Sequence, residues 1–242
     1  KHRDSLLHRH SDIASIDRVM KEVTEDGKFN DLPNNATFLT TLQLAKTTSY
    51  DYSGLTYLTE KTGRYLVLIE ENEHQYPWIS LRVPSDGHHD VPLLRDVISE
   101  ILECHLKTIG ERKEFMLDSD TVAMESVLDI LGRHKYVKDG EFAYFHMDDK
   151  QCAEYMKIAA NLPDGFIAKS IEEKDFQFVI DKWEYCDSHE LMRQRLRHLP
   201  SSAIYRKEGQ IASFATSHTM GQMNHLYTPP EFRGIGLGKL TE

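Results

Sequence analysis

Near the end of the chain, three glycines alternate with other residues in the segment Arg233-Gly234-Ile235-Gly236-Leu237-Gly238. A strand is predicted just before this segment, at 223–228, and a helix is predicted to begin at Leu237. Backbone N–H groups are unpaired at the start of a helix, the helix dipole is positive there, and glycines let a phosphate approach closely. The order strand, glycine turn, helix therefore predicts a site for a pyrophosphate.

The spacing of these glycines excludes two common nucleotide-binding motifs. A nucleotide P-loop has four residues between its first glycine and Gly-Lys-Ser/Thr, whereas here Lys239 is followed by Leu240. The dinucleotide fingerprint is G-x-G-x-x-G, whereas these glycines are spaced G-x-G-x-G. The pyrophosphate therefore belongs to another class of ligand.

The charge of the chain narrows the class of partner. Its 242 residues carry a formal net charge of −10, which argues against a general nucleic-acid-binding protein because such proteins gather Lys and Arg. Residues 164–242 carry ten Lys and Arg against eleven Asp and Glu, so most of the negative charge lies in residues 1–163. An anion would therefore bind more readily to residues 164–242 than to residues 1–163. The sequence contains no long apolar run, and no membrane span is predicted.

The cysteines and histidines give little sign of a metal or disulfide site. Cys104, Cys152 and Cys186 stand far apart, which is typical of a reducing compartment and argues against a disulfide framework. The run His88-His89-Asp90 has no second ligand pair at a suitable spacing, so it predicts a polar turn and no metal site is expected.

The spacing of apolar and turn residues predicts two domains, 1–163 and 164–242, with the boundary at Pro163-Asp164-Gly165. In the first domain we predict helices at 11–25, 91–106, 120–134 and 149–161, and strands at 36–46, 64–70, 76–83 and 141–147. In the second we predict strands at 166–169, 201–206, 211–217 and 223–228, helices at 175–182 and 189–199, and a hairpin turn at Glu208-Gly209. The fold class is therefore α/β with a mixed sheet.

The segment from His225 to Gly238 resembles the signature of the GNAT superfamily of acyl-CoA-dependent N-acyltransferases. In that family a strand runs into Arg/Gln-x-x-Gly-x-Gly/Ala, which Arg233, Gly236 and Gly238 match. The resemblance covers about residues 164–242, since the preceding elements also follow that fold's usual order. It implies a GNAT-like fold in the second domain, preceded by a divergent α/β domain.

The glycine N-acyltransferase family is a closer likeness within that superfamily. The residues that carry it are Trp183, the run Leu199-Pro200-Ser201-Ser202-Ala203-Ile204-Tyr205, Gly209, Gly221-Gln222-Met223 and the run from Tyr227 to Gly234. The resemblance implies transfer of an acyl group from acyl-CoA to the amine of glycine or a similar small amino acid. It also implies a mitochondrial or cytoplasmic enzyme that needs no metal.

The resemblance assigns the acyl-CoA site residue by residue. Strand residues Leu226, Tyr227 and Thr228 would hold the pantetheine arm. The glycine loop would hold the pyrophosphate, and its residues are Arg233, Gly234, Ile235, Gly236, Leu237, Gly238 and Lys239.

The general base departs from the family's pattern. In the glycine acyltransferases an acidic residue just before the last strand acts as the base, and the matching position here is Gln222. His225 is the nearest titratable alternative, with an ordinary pKa of about 6.5. A regular strand places residues 222 and 225 on opposite faces unless a bulge intervenes.

Other interpretations remain open from the sequence. The chain could be a non-catalytic acyl-CoA-binding scaffold with a degenerate GNAT fold, or an N-acetyltransferase for a peptide or polyamine amine.

The family's fold continues for several dozen residues after the glycine loop, so we expect the second domain to be incomplete at residue 242. Arg193, Arg195 and Arg197 are expected on a solvated helix surface or against a phosphate or carboxylate, and Trp183 and Tyr185 in the core. The oligomeric state is not predicted.

Overall fold

The computed structural model describes residues 5–25, 32–72, 75–84, 90–105, 115–132, 149–159, 161–184 and 188–241. The chain folds into two compact units, the first comprising Lys1–Leu42 and Asp51–Phe145 and the second Gln43–Tyr50 and His146–Glu242. The predicted α/β class with a mixed sheet is confirmed. The boundary expected near residue 163 falls inside the second unit, because the helix Asp149–Ala159 contacts the helix Leu237–Thr241.

A five-stranded sheet forms the centre of the first unit. Its strands, in spatial and chain order, are β1 (Leu7–His10), β2 (Leu55–Glu60), β3 (Leu66–Asn72), β4 (Gln75–Arg82) and β5 (Met116–Ser119). Neighbouring strands are antiparallel except β4 and β5, which are parallel. All of Leu66 to Ile69 in β3 are buried, which is typical of a strand covered on both faces.

Among the described residues, the first unit contains the helices α1 (Ile13–Glu25), α3 (Val91–Glu100) and α4 (Thr121–Leu131). Helix α2 (Leu32–Thr47) begins in the first unit, and its residues from Gln43 onward belong to the second. Asp90 caps α3 by accepting a hydrogen bond from the Leu93 N–H, and the helix continues as a π-helical turn, Ile101–His105. Residues from α3 and α4 pack with β3 and β4 in one apolar core. The helices predicted at 11–25, 91–106 and 120–134 are thus confirmed over the residues described.

The strand predicted at 36–46 is wrong, because this segment lies within α2. Its buried residues Thr37, Phe38, Thr41 and Leu42 recur at the spacing of a helix face. Thr41 Oγ1 donates to the Thr37 carbonyl at 2.6 Å, so its hydroxyl is satisfied within the helix. Strands β1, β2 and β5 were not predicted, and the strand predicted at 141–147 lies outside the described residues.

The second unit contains a four-stranded antiparallel sheet in the order β6 (Phe166–Lys169), β7 (Ser201–Arg206), β8 (Ile211–Ser217) and β9 (Met223–Tyr227). Its helices are α5 (Asp149–Ala159), α6 (Phe176–Asp181), α7 (His189–His198) and α8 (Leu237–Thr241), with 3-10 turns at Glu173–Asp175 and Pro230–Phe232. The elements predicted from 149 onward are confirmed. Gly209 makes the β7–β8 turn with φ +93°, as its position in a hairpin requires.

Helices cover both faces of this sheet. On one face, Val179 and Ile180 of α6 and Met192 of α7 pack with Tyr205 and Phe214. On the other face, Leu237 of α8 and Phe232 pack with Ile204 and Ala212. Within the described residues, no helix has the length and apolar character needed to cross a bilayer.

Candidate functional site

The glycine loop that follows β9 has two glycines in the left-handed region, Gly234 with φ +81° and Gly236 with φ +84°. A Cβ built on either glycine meets nothing within 4 Å, so the outer side of the loop is open. Gly238 differs, because a Cβ there would lie 3.4 Å from Thr228 Oγ1. The loop therefore presents backbone to open space at residues 234–236 and packs against the end of β9 at Gly238.

Arg233 and the apolar residues around the loop hold it against the sheet. Arg233 Nε donates to the Thr228 carbonyl at 2.8 Å. The Arg233 guanidinium lies 5.8 Å from the centre of the Tyr227 ring. Phe232 and Leu237, on either side of the glycines, are buried.

A chain of three hydroxyl groups lies beneath the loop. Thr241 Oγ1 donates to Ser213 Oγ at 2.7 Å and lies 2.8 Å from the Leu237 carbonyl. Ser213 Oγ is 3.0 Å from Thr228 Oγ1. These contacts join β8, the end of β9 and α8. These hydrogen bonds could not be predicted from the sequence, because the facing of Ser213 depends on a bulge at Ala212. At this bulge Ile204 pairs with Ser213, whereas the next residue, Tyr205, pairs with Ile211.

A second bulge changes the facing of β9. His225 pairs Thr216 and Met223 pairs Ser217, so Asn224 is an extra residue in β9. Strand alternation is broken at that point, so residues 222 and 225 are not held to opposite faces of the sheet. Gln222 itself precedes the strand, where its carbonyl accepts a hydrogen bond from the His218 N–H at 2.8 Å.

His225 lies on the face covered by α6. Its ring stacks on Trp183, with centroids 5.7 Å apart, and meets the Phe214 ring edge-on at 5.2 Å. Burial lowers the pKa of His225, and a hydrogen bond with the Lys182 backbone acts in the opposite direction. His225 is therefore neutral at pH 7. Trp183 packs against the core as predicted, whereas Tyr185 lies outside the described residues.

The two ring nitrogens of His225 have different surroundings. Nδ1 is shielded from solvent and has no hydrogen-bond partner among the described residues. A neutral imidazole that is protonated on Nε2 carries a lone pair on Nδ1.

Thr216, opposite His225, was not singled out from the sequence. Its side chain is 4% exposed, and no partner for its Oγ1 is found in the part of the chain that the structure describes. A buried polar atom left unpaired costs about 1–3 kcal/mol. Two such atoms, Thr216 Oγ1 and His225 Nδ1, thus belong to residues paired across neighbouring strands.

The three arginines of α7 separate into two environments. Arg193 contacts Gln177 and Arg197 pairs with Glu173 at 2.8 Å, both on the exposed surface. Arg195 is 5% exposed, and its Nη2 lies 3.4 Å from His218 Nε2. Burial, together with the positive charge of Arg195, lowers the pKa of His218 to about 3. His218 is therefore neutral across the physiological pH range.

The residues predicted for the acyl-CoA site fall into two groups. The first group lies where β9 meets the loop: Arg233 contacts the Tyr227 ring and the Thr228 carbonyl, and Gly238 lies beside the Thr228 side chain. Leu226 and Ile235 expose 38% and 52% of their side chains, Leu237 is buried, and Lys239 lies on α8. His225 lies on the opposite face of the sheet from α8.

No cluster of metal-ligating side chains occurs among the described residues, and His88 and His89 lie outside them.

Comparison with known proteins supports the fold alone. No protein-family model matches the chain, and no curated protein matches its sequence. The structure matches the X-ray structure of a Drosophila protein, a structural genomics target, with a TM-score of 0.67 at 12% identity, over 98% of this chain and 82% of that chain. This chain therefore shares the fold of that protein.

A second solved structure, L-PGS from Bacillus licheniformis, also matches. Its TM-score is 0.34 at 10% identity, over 84% of this chain and 69% of that chain.

Proposed function

We propose that the chain is an acyl-CoA-dependent N-acyltransferase that transfers an acyl group to the amine of glycine or a similar small amino acid. The observation that carries the proposal is the pair of left-handed glycines, Gly234 and Gly236, facing open space directly after β9. Left-handed glycines turn successive backbone N–H groups toward one point, which suits the oxygens of a pyrophosphate. The family resemblance identifies that pyrophosphate as part of coenzyme A.

Strand β9 supports a place for the pantetheine arm. Among the described residues β9 stands at one end of the sheet order, so one of its edges carries no neighbouring strand. The arm contains two amide groups, which can pair with a strand edge as a peptide does. The exposed side chain of Leu226 would cover the apolar part of the arm.

Arg233 and Lys239 supply positive charge close to the loop. Because Arg233 is fixed by the Thr228 carbonyl and the Tyr227 ring, its charge is held beside the glycines. Each cation would favour the phosphates of coenzyme A over a neutral ligand. Neither residue carries the proposal alone.

The chemistry is direct attack of an amine on the thioester carbonyl. A protonated amine first loses one proton to a base, and the free amine then forms the C–N bond. The tetrahedral intermediate breaks its C–S bond, and the departing thiolate takes the second proton from the nitrogen. His225 is proposed as the base because burial lowers its pKa, which favours the neutral ring, and because its Nδ1 has no other partner among the described residues.

A thiol-release assay tests this function. The protein is mixed with acetyl-CoA or benzoyl-CoA, with and without glycine, and free coenzyme A is measured over time. The proposal predicts thiol release that depends on both glycine and protein. Release that is independent of the amine, or no release with glycine or any other small amine, contradicts it. Release with a peptide or polyamine but not with glycine would reassign the acceptor.

A non-catalytic acyl-CoA-binding protein is the second candidate. Two observations favour it: Gln222 stands where the resemblance expects an acid, and His225 Nδ1 is shielded from solvent. This candidate predicts saturable binding of acyl-CoA without thiol release across many amines. The same assay, run beside a binding measurement, separates the two candidates.

A further inference from the structure

The cross-strand pair Thr216 and His225 lies on the sheet face that α6 covers. We propose that Thr216 Oγ1 and His225 Nδ1 together bind the nitrogen of the acceptor amine, with Thr216 positioning it for proton removal. This inference rests on the proposed acyl transfer and assigns the acceptor subsite within it.

The strand register brings the two side chains together. Thr216 pairs directly with His225, and Phe214 pairs with Tyr227 two residues along. Side chains of directly paired residues lie on the same face of a sheet, with Cβ atoms roughly 4.5–5.5 Å apart. Phe214 and Tyr227 pack with α6 in one apolar cluster, so Thr216 and His225 face the same side. The two unpaired polar atoms therefore belong to neighbouring side chains on one face of the sheet.

Thr216 differs from an ordinary core residue because its side chain is buried, at 4% exposed, while its hydroxyl group has no hydrogen-bond partner among the described residues. By contrast, the buried hydroxyl of Ser213 on the same strand is satisfied by Thr241. A valine at position 216 would fill the same volume without an unpaired polar atom. The hydroxyl is therefore explained by a polar group that binds to it.

His225 supplies the complementary group. Trp183 holds the plane of the ring by stacking on it, and Nδ1 has no hydrogen-bond partner among the described residues. In the neutral tautomer protonated on Nε2, Nδ1 is an acceptor. An ammonium group entering the subsite would donate one N–H to Nδ1 and another to Thr216 Oγ1.

The proton balance of the step is complete. The ammonium gives one proton to His225 Nδ1, forming an imidazolium and a neutral amine. The amine attacks the thioester, and its second proton leaves with the coenzyme A thiolate. The imidazolium then loses its proton as the products leave the subsite, so the net products are amide, thiol and one proton.

Two substitutions at Thr216 test the inference. Thr216→Val removes the hydroxyl and keeps the shape, whereas Thr216→Ser keeps the hydroxyl. We expect Thr216→Val to raise KM for glycine by on the order of tenfold, because one hydrogen bond to a charged group is lost. The affinity for acetyl-CoA should stay unchanged, and Thr216→Ser should stay close to wild type. KM for glycine, kcat and the Kd of acetyl-CoA are measured for each variant.

Thr41→Val provides the matched control. Thr41 is equally buried, but its hydroxyl is satisfied by the Thr37 carbonyl. Thr41→Val should lower the unfolding temperature and leave KM unchanged, whereas Thr216→Val should not lower the unfolding temperature. An unchanged KM in Thr216→Val, with an active wild-type protein, overturns the subsite alone. A wild-type protein that releases no thiol with any amine overturns the proposed acyl transfer, and the subsite with it.

Discussion

A substitution at Gly236 tests the proposed phosphate site at the level of a single residue. Its φ of +84° strains any other residue, and a glutamate there would add a negative charge to the open side of the loop. We expect Gly236→Glu to abolish binding of coenzyme A, measured by titration calorimetry. Gly236→Lys has the same strain with the opposite charge and should lose less affinity.

Gly165 offers a control for the backbone strain in the same unit. It has φ +89°, nothing within 4 Å of a built Cβ, and a position next to β6 at the other end of the sheet order. Gly165→Glu should therefore lower stability without abolishing binding. Equal loss of binding in Gly165→Glu and Gly236→Glu would show that the effect is unfolding and not the site.

His218 makes the stability of the protein depend on pH. Its pKa is about 3 in the folded chain, against an ordinary value of 6.5, so the unfolded chain binds a proton that the folded chain excludes between these values. The contribution of His218 to the free energy of unfolding is therefore fully present above about pH 6.5. It falls as the pH is lowered, by at most about 1.4 kcal/mol per pH unit.

The variant His218→Gln should remove this contribution. Denaturant unfolding of both proteins is measured from pH 7.5 to pH 4.5. His10 and His225 also have lowered pKa values and act in the same direction in both proteins, so the difference in slope reports His218. The same slope in both proteins would contradict the assignment.

At the scale of secondary-structure elements, the chain of Thr241, Ser213 and Thr228 should hold the glycine loop in place. Ser213→Ala breaks the link to α8, and we expect a loss of about 1–2 kcal/mol of stability together with weaker coenzyme A binding. Ser202→Ala on β7 is the control, since no hydrogen bond of the Ser202 side chain is seen among the described residues. If both variants bind coenzyme A equally well, the hydroxyl chain does not support the loop.

The sequence predicted the elements of the second unit well, because each is short, apolar on one side and bounded by turn residues. It failed at 36–46, where threonines and aromatic residues are typical of strands but tertiary packing favours a helix. It also could not predict the bulges at Ala212 and Asn224, since a bulge depends on pairing between strands. The glycine loop was therefore found from the sequence, whereas Ser213 and Thr216 required the strand register.

At the scale of the whole molecule, the chain has two compact units, and all residues proposed for the site belong to the second. The core of the first unit should therefore support stability without contributing to the site. We expect Leu81→Ala, at a fully buried position of β4, to cost about 2–5 kcal/mol of unfolding free energy and to leave the Kd of acetyl-CoA unchanged below the unfolding transition. A weaker Kd in folded Leu81→Ala would place part of the site in the first unit.

We propose above that the glycine loop and β9 bind the coenzyme A part of an acyl-CoA. Isothermal titration with acetyl-CoA and benzoyl-CoA, run on the wild-type protein and on the Gly236→Glu variant, is the measurement to make first. We expect saturable binding of one acyl-CoA per chain by the wild-type protein and loss of this binding in the Gly236→Glu variant. No binding by the wild-type protein, or equal binding by the variant, would contradict it.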